Sequence, residues 1–314
     1  MPAILTNNLS VINAENFVDS FINGNSTIYM AVGKGHDDRS NLTSTEQDTI
    51  KAWDNEQLPA TPIDTINEQE SFRNNIIGIK RIFSHDIMIM VPRVEWKVGK
   101  TFKPVNKAAV AGIRATDYFC INSNNEVWEC VEKTNDATIT EAGCMPLLSN
   151  VAKEDIESGN VKDVTLKTAD GYTWKFLYNV TATMVNNGML LENWMPVPFN
   201  KHGKYPGGTL TETQDISGDL NANRELGAYR VLVTCTLSDE GDKIPYNSIY
   251  RQIGLIVDPL SIADEDGNQT AISGENYAFG EFAHSSGELI YLENRRPTHR
   301  AENQSEVLTV MLIF

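Results

Sequence analysis

The sequence predicts a β-rich α+β fold. Nine segments have the alternation, or the β-branched and aromatic content, that favours strands, and only a few stretches have helical periodicity. The material between these segments is rich in Asn, Asp, Gly and Pro, as turns require. No internal repeat, heptad run or low-complexity tract is evident, so fibre, solenoid and coiled-coil folds are not indicated.

The first predicted element is an amphipathic helix. Asn13 can cap its first free N–H groups, and Gly24 can accept the left-handed conformation that ends a helix. The apolar side chains that then share one face are Ala14, Phe17, Val18 and Phe21. A strand is predicted next over 26–32, where apolar residues alternate.

A helical excursion is predicted near 43–77. Thr43 and Glu46 form a capping-box pattern for one helix, and Asp64 can cap a second that runs to about Asn75 and ends by Gly78. The two prolines in 58–62 make the connection between these helices extended. Residues 203–226 predict a long exposed loop.

The remaining strand signals dominate the rest of the chain. They lie at 87–91, 118–122, 126–132, 173–179, 229–237, 251–257, 288–293 and 307–314.

Alternation along 288–293 is expected to place Leu289, Tyr291 and Glu293 on one face of a strand and Glu288, Ile290 and Leu292 on the other, so both faces carry apolar residues. Such a strand is expected to be covered on both sides, with Glu288 and Glu293 near its ends, bonded to backbone donors or to an arginine, Arg251 or Arg295. Pro297 is expected to stop the pairing. A buried Glu293 predicts a loss of about 1–3 kcal/mol on substitution by Gln. The apolar segment 307–314 is expected to be buried.

Composition excludes several classes of protein. The formal charge of −16 repels a phosphate backbone, so no nucleic-acid partner is expected. This acidity serves either solubility or the selection of partners with basic patches. No run of about 18 apolar residues exists, and the chain opens without a basic and apolar leader, so we expect neither a membrane partner nor a secretory signal. The four cysteines are widely spaced, which indicates buried, reduced thiols in a cytoplasm.

The usual signatures of catalysis and cofactor binding are missing. The five histidines are too dispersed for a zinc site, and no P-loop or G-x-S-x-G run occurs, so we expect no metal, cofactor or small-molecule substrate. The segment 264–275 resembles a calcium loop in part, but its glycine is misplaced, which favours a solvated acidic turn. His284 beside Ser285 does not make a catalytic pair, because neighbours on a strand point to opposite faces.

Tryptophans and arginines are the other candidate functional residues. Sugars or bases could stack on the five tryptophans, but these are dispersed within strand and turn patterns, and core anchoring is the better interpretation. Arginine forks at Arg93, Arg251 and the pair Arg295 and Arg296 can bind carboxylates within the fold or across an interface. Pairing within the fold is the first choice.

One segment near the C-terminus is specific. Residues 284–297 read His-Ser-Ser-Gly-Glu-Leu-Ile-Tyr-Leu-Glu-Asn-Arg-Arg-Pro, and a closing apolar strand follows. This box resembles that of the baseplate wedge subunit of T-even-type contractile-tailed bacteriophages, with one extra Ser after His284 and with Arg296 before Pro297. Further similar blocks lie at 29–33, 53–64, 91–96, 170–177, 250–253 and 258–260.

The resemblance implies one structural subunit over 1–314, with a two-layered β body and small helical excursions, a further one of which is expected in 140–165. It implies a homodimer in the virion tail baseplate, assembled in the bacterial cytoplasm with other wedge proteins, and not an enzyme. A carbohydrate-binding or hydrolytic tail module that contacts the host surface is the alternative. The structural or interface candidates are Arg93, Trp96, Trp174, Arg251, His284, Gly287, Glu288, Tyr291, Glu293, Asn294, Arg295 and Pro297.

Overall fold

The structure is a computed structural model that describes residues 7–22, 24–34, 66–104, 118–151, 164–197, 229–238, 242–244, 249–300 and 305–314. The helices in these ranges are α1 (Asn7–Ile22), α2 (Ile66–Asn74) and α3 (Ala182–Asn186). The strands are β1 (Ile28–Gly33), β2 (Ile76–Ile82), β3 (Ile87–Pro92), β4 (Phe119–Ile121), β5 (Glu126–Lys133), β6 (Thr165–Lys167), β7 (Tyr172–Asn179), β8 (Trp194–Val197), β9 (Arg230–Leu237), β10 (Ile249–Val257), β11 (Asn276–Ala278), β12 (Glu288–His299) and β13 (Glu306–Ile313).

The chain divides into two compact units. The first unit comprises Met1–Gly24, Ile87–Val233 and Val310–Phe314, and the second comprises Asn25–Asp86 and Thr234–Thr309. The strands form a five-stranded sheet in the order β11-β2-β1-β10-β12 and two four-stranded sheets in the orders β13-β9-β3-β8 and β4-β5-β7-β6. The predicted β-rich α+β class is confirmed, because strands are the commonest element among the described residues, form three antiparallel sheets and are accompanied by few helices.

The first unit is built on aromatic side chains. Strand β7 supplies a large part of this core, because every second residue of its first five is buried. Trp174 lies 5.0 Å from the ring of Phe102 and 5.7 Å from that of Tyr172. Trp128 of β5 is fully buried at 5.3 Å from the ring of Phe176. These large rings pack in tilted or edge-on contacts and form part of the hydrophobic core of the first unit.

The second unit is built around strand β1. All six of its residues are buried, and it pairs antiparallel with β2 on one side and β10 on the other. Helix α2 packs on this sheet through Phe72, which is fully buried. A Cβ atom placed on Gly254 would lie 2.7 Å from the Phe72 ring, and one placed on Gly33 would lie 3.0 Å from it. The two glycines therefore let the helix approach the sheet closely.

The nine predicted strand segments each overlap an observed strand. Strands β2, β6, β8 and β11 were not predicted. The helix cap assigned to Asn13 is wrong, because α1 begins at Asn7 and Val11 already belongs to its buried face. The helix end assigned to Gly78 is also wrong. Gly78 lies inside β2, opposite Val32, where an added Cβ would meet Ile244 at 2.9 Å.

Several expectations fall wholly or partly outside the described residues. Of the excursion near 43–77, only 66–77 is described, and it contains α2 and the start of β2. Of the excursion in 140–165, the described part contains a 3-10 turn at Leu148–Asn150 and the first residue of β6. The loop 203–226 and Trp53 lie outside the described residues. The single subunit over 1–314 stays a prediction.

Strand β12 differs from its prediction in three respects. It lies at one edge of its sheet and is half-buried, so it is not covered on both sides. It continues past Pro297 to His299, so Glu293 lies near its middle. The register shifts between Gln252↔Asn294 and Tyr250↔Thr298, which places Pro297 in a bulge. A proline is tolerated there because no ladder hydrogen bond is required of it.

A second bulge explains which β12 side chains reach the core. The register also shifts between Leu255↔Tyr291 and Ile256↔Leu289, so Ile290 is the extra residue. After this extra residue, the side chains that face the core change from odd-numbered to even-numbered positions. Both Leu289 and Leu292 therefore pack against the core of the second unit. The predicted assignment of these two leucines to opposite faces is therefore wrong.

Strand β13 is buried on one face only. Leu308 and Val310 are each 1% exposed, but Val307 is 52% and Ile313 is 66% exposed. The expectation that the whole apolar C-terminal segment is buried is wrong. Strand β13 lies at the edge of its sheet, and on its less buried face Thr309 and Met311 are half-buried between the two exposed ends.

Candidate functional site

The loop that leads into β12 is fixed by an arginine from α2. The Arg73 guanidinium donates from Nη1 to the carbonyl oxygens of His284 (3.0 Å) and Ser286 (2.6 Å), and from Nη2 to that of Gly287 (2.9 Å). Burial lowers the pKa of Arg73 from its ordinary value. Sequence reasoning missed this residue. An arginine at the end of a short helix gives no signal of a contact 211 residues away.

Gly287 has a steric reason to be glycine. Its φ is +70°, and a Cβ atom there would lie 2.6 Å from the carbonyl oxygen of Val257 and 2.8 Å from the side chain of Ile256. Both the left-handed backbone and the close approach to β10 exclude a side chain. Gly287 thus sets the turn from the loop into β12.

Ser286, the residue before Gly287, uses its hydroxyl for two hydrogen bonds within the fold. Ser286 Oγ donates to the carbonyl oxygen of Ala283 (2.5 Å) and accepts from the N–H of Leu260 (2.8 Å). The His284 ring lies 5.4 Å from the ring of Phe279. Both hydrogen bonds of the Ser286 hydroxyl are to backbone groups, so this side chain restrains the conformation of the loop before β12.

One face of β12 carries a chain of polar contacts. The Tyr291 hydroxyl donates to Glu293 Oε2 (2.7 Å), and Arg295 Nη2 lies 3.2 Å from the same oxygen. Arg295 Nη2 also donates to the carbonyl oxygen of Thr309 on β13 (3.0 Å). Burial raises the pKa of Tyr291, and the Glu293 carboxylate raises it further, so the hydroxyl remains a donor. Glu288, at the start of the strand, is exposed.

The neighbouring strand β10 contributes further polar side chains. Gln252 Nε2 donates to Asn294 Oδ1 (3.0 Å), across the pair of strands. The Tyr250 hydroxyl donates to the Glu306 carboxylate of β13. Burial, and then Glu306, raises the pKa of Tyr250. Arg251, a predicted candidate, is buried between these residues in the strand. These bonds link β10 to β12 through Asn294 and to β13 through Glu306.

The other candidates lie in the first unit. Arg93 Nη1 donates to the carbonyl oxygen of Leu191 (3.0 Å), and its Nη2 lies 2.8 Å from Glu95 Oε1. Lys97 Nζ lies 2.9 Å from Glu95 Oε2. The hydrogen bond from Lys97, and then the Arg93 charge, lower the pKa of Glu95. Trp96 is half-buried, and Trp174 is fully buried. The structure therefore divides the candidates between the two units.

The acidic turn that resembles a calcium loop in part is bonded to its own backbone. The Asp264 carboxylate accepts from the N–H groups of Asn268 (2.7 Å) and Asp266 (3.0 Å), and these bonds lower its pKa. The acidic turn is thus stabilised by its own backbone. Within the described ranges, no group of three His, Cys, Asp or Glu side chains is placed to hold a metal ion.

The four cysteines are buried free thiols. Burial raises the pKa of Cys130 and of Cys235 to about 12, so neither is a nucleophilic thiolate at neutral pH. None of the helices in the described ranges has the length and apolar character needed to cross a membrane.

Comparison with known proteins gives two findings. The family model described as "Bacteriophage T4, Gp8" matches residues 135–314. The "Baseplate wedge protein gp8" of Enterobacteria phage T4 is 23% identical over 158 residues, which cover 48% of this chain and 47% of that relative. The match therefore spans about half the length of the relative. Strands β12 and β13 and the box that precedes them all lie within the family match.

Proposed function

The chain belongs to the bacteriophage T4 Gp8 family, and we propose that it is a homodimeric structural subunit of the tail baseplate wedge that binds other wedge proteins during tail assembly. The observation that carries this proposal is the family match over 135–314, which is more than half of the chain. The wedge would be assembled in the bacterial cytoplasm and would become part of the virion tail.

The contacts of the C-terminal box support a role as a segment that is ordered before it binds a partner. Arg73, Ser286 and Gly287 each fix the loop through backbone contacts. Tyr291 and Arg295 bind Glu293 within β12, and Arg295 also bonds this strand to β13 through the carbonyl oxygen of Thr309. A segment restrained in this way keeps its shape when another protein binds it, because few groups must be ordered on binding. The candidates on β12 are therefore proposed as supports for an interface rather than as reacting groups.

Strand β13 supports the proposal of a homodimer. Its outward face presents Val307, 52% exposed, and Ile313, 66% exposed, at the edge of a sheet. Exposed apolar side chains on one face of an edge strand are unfavourable in water and are typical of surfaces that associate. A second copy that covers this face would remove both side chains from water.

The tryptophans give less support to the alternative of a carbohydrate-binding or hydrolytic tail module. Trp128 and Trp174 are fully buried, so neither can stack on a sugar. The Arg230 guanidinium carbon lies 3.9 Å from the ring centroid of Trp194 and 4.3 Å from that of Tyr229. That cation–π sandwich already uses the face of Trp194 that faces Arg230.

Light scattering tests the dimer. The chain has a mass of 34.9 kDa, and the expected particle has twice that mass at micromolar concentration, with or without a reducing agent. A clean monomer would contradict the homodimer.

Mixing the purified chain with the other wedge proteins of the same phage tests whether they associate. A glycan array with a hydrolase assay tests the alternative of a carbohydrate-binding or hydrolytic module. Reproducible sugar cleavage would overturn the structural role.

A further inference from the structure

One arginine of the first unit, Arg230, has aromatic contacts on its guanidinium but no oxygen acceptor among the described residues. Its guanidinium carbon lies 3.9 Å from the ring centroid of Trp194 and 4.3 Å from that of Tyr229, and its Nη1 is buried without a hydrogen-bond partner. No carboxylate of the described ranges forms an ion pair with it. Other described arginines donate to an oxygen of the chain, namely Arg73, Arg81, Arg93, Arg295 and Arg300.

The pairing of three strands sets this arrangement. Trp194 of β8 is opposite Pro92 of β3, and Arg230 of β9 is opposite Met90. Met90 and Pro92 are two positions apart on β3, so the side chains of Trp194 and Arg230 emerge on the same face of the sheet. Because β8 and β9 flank β3, the guanidinium meets the Trp194 ring across this central strand.

The two rings fix the plane of the guanidinium and the direction of its N–H groups. The donors of an arginine form a planar fork, and Nε and Nη2 lie along one edge of it. Because Nη1 is buried, the edge open to an acceptor is the one that carries Nε and Nη2. Two parallel N–H groups match the two oxygens of a carboxylate. A guanidinium that is already stacked loses little freedom when it binds one.

We propose that Arg230 binds a side-chain carboxylate of a second copy of this chain. The site lies beside the end of β13, because the carbonyl oxygen of Tyr229 accepts from the N–H of Phe314 (3.1 Å). The preceding residue, Ile313, belongs to the exposed face of β13 that supports the proposed homodimer. The chain has 42 acidic residues against 26 basic ones, so a second copy is rich in carboxylates. This inference rests on the proposed homodimer and names one of its contacts.

Carboxylates of the same chain are the competing partners. Glu192 is exposed and precedes Trp194 by two positions, but it forms no ion pair with Arg230 in the described structure. Glu225, five positions before Arg230, lies outside the described residues. Glu95, which follows β3, is already bonded to two cations. A nucleic-acid phosphate is a further anion, but the net charge of −16 repels it.

Carbodiimide coupling identifies the carboxylate. Arg230→Lys keeps the positive charge and places an amine at the site, which the reagent joins to a carboxylate in contact with it. Unlabelled and heavy-isotope-labelled chains of this variant are mixed, so that mass spectrometry separates links between copies from links within one chain. We expect a link from position 230 to an Asp or Glu of the other copy, and none from this position in the wild type. A link only to Glu192 or Glu225 of the same chain would overturn the inference. A link only to another wedge protein, when those proteins are added, would also overturn it.

The dissociation constant of the dimer gives an independent readout. In sedimentation equilibrium of the full chain, Arg230→Gln should weaken dimerisation at least about tenfold, as loss of an interface anchor does. Arg230→Lys should weaken it less, because the charge remains and only the fork is lost. Arg81→Gln is the control, because Arg81 also lies over a ring, 5.5 Å from the Phe83 centroid, but already donates to the carbonyl oxygen of Ser273. This control should dimerise as the wild type does.

The outcomes separate this inference from the homodimer itself. If the wild type dimerises and Arg230→Gln dimerises equally well, Arg230 only stacks between its two rings, so the inference is wrong and the homodimer stands. If the wild type is a monomer at every concentration, both fall. Melting curves show whether each variant is folded. If Arg230→Gln does not fold, the crosslinks and the dissociation constant of Arg230→Lys decide.

Discussion

Replacing Arg73 by Ala tests whether the box before β12 is held by α2. The substitution removes three hydrogen bonds to carbonyl oxygens of residues 284–287. Hydrogen bonds from a charged donor contribute about 1.5–3 kcal/mol each, but these three share one half-buried guanidinium and do not add. We expect the free energy of unfolding to fall by about 2–3 kcal/mol in total.

Thermal melting and amide hydrogen exchange measure this effect. A loss of that size lowers the melting temperature by about 4–12 °C in a protein of this class. Exchange should accelerate at 284–289 before it does in β1, because the loop opens locally first. Arg73→Lys should give an intermediate loss, since one ammonium cannot reach three carbonyl oxygens with the geometry of a guanidinium.

Arg81→Ala is the matched control for Arg73→Ala. Arg81 makes one exposed bond to the carbonyl oxygen of Ser273 (2.8 Å), and its guanidinium carbon lies 5.5 Å from the centroid of the Phe83 ring. We expect its loss to cost less than about 1 kcal/mol. An Arg73→Ala variant that melts like Arg81→Ala, with unchanged exchange at 284–289, would refute the argument that Arg73 supports the box.

Three further outcomes are expected. Glu293→Gln should destabilise the chain by about 0.5–1 kcal/mol in chemical denaturation, less than a buried glutamate would, because the carboxylate is partly exposed and its bonds are screened; a loss above about 2 kcal/mol would contradict this. Leu308→Ala, at a buried position of β13, should cost about 2–5 kcal/mol, whereas Val307→Ala on its exposed face should cost under about 0.5 kcal/mol, so equal losses would contradict the one-sided burial. Stability should fall as the pH rises from about 9 to about 12, because burial raises the pKa of Cys130 and Cys235 from 9.0 to about 12 and the unfolded chain releases these protons first. Urea denaturation at pH 8 and pH 11 measures this fall, and a Cys130→Ala, Cys235→Ala variant that keeps the full slope would show that the thiols are not its cause.

The strands were predictable because alternation is a local property of the sequence. In β7, the residues Tyr172, Trp174 and Phe176 alternate with polar or half-buried neighbours and are all buried, as the pattern requires. Strand β2 escaped prediction because Gly78, which suits a helix end, is used instead for a close approach to Ile244. Propensity could not distinguish these two uses of one glycine.

The contacts of the candidate site were less predictable. Glu293 and Arg295 could be paired from their spacing of two along a strand, and the structure places their side chains 3.2 Å apart. Arg73 could not be assigned, because its partners are far away in sequence and the bonds go to backbone oxygens, which leave no trace in residue identity. The faces of β12 could not be assigned either, since the alternation changes at the Ile290 bulge, and a bulge is set by the partner strand.

The two bulges of β12 have a consequence for how this edge of the sheet can associate. A long, flat edge strand is a template on which further strands can add without limit, and the end point of that growth is an insoluble fibre. The breaks at Ile290 and at Pro297 leave no straight run of free backbone long enough for such addition. Association through this edge must therefore use side chains, whose geometry fits only particular partners, and growth stops when those partners are in place.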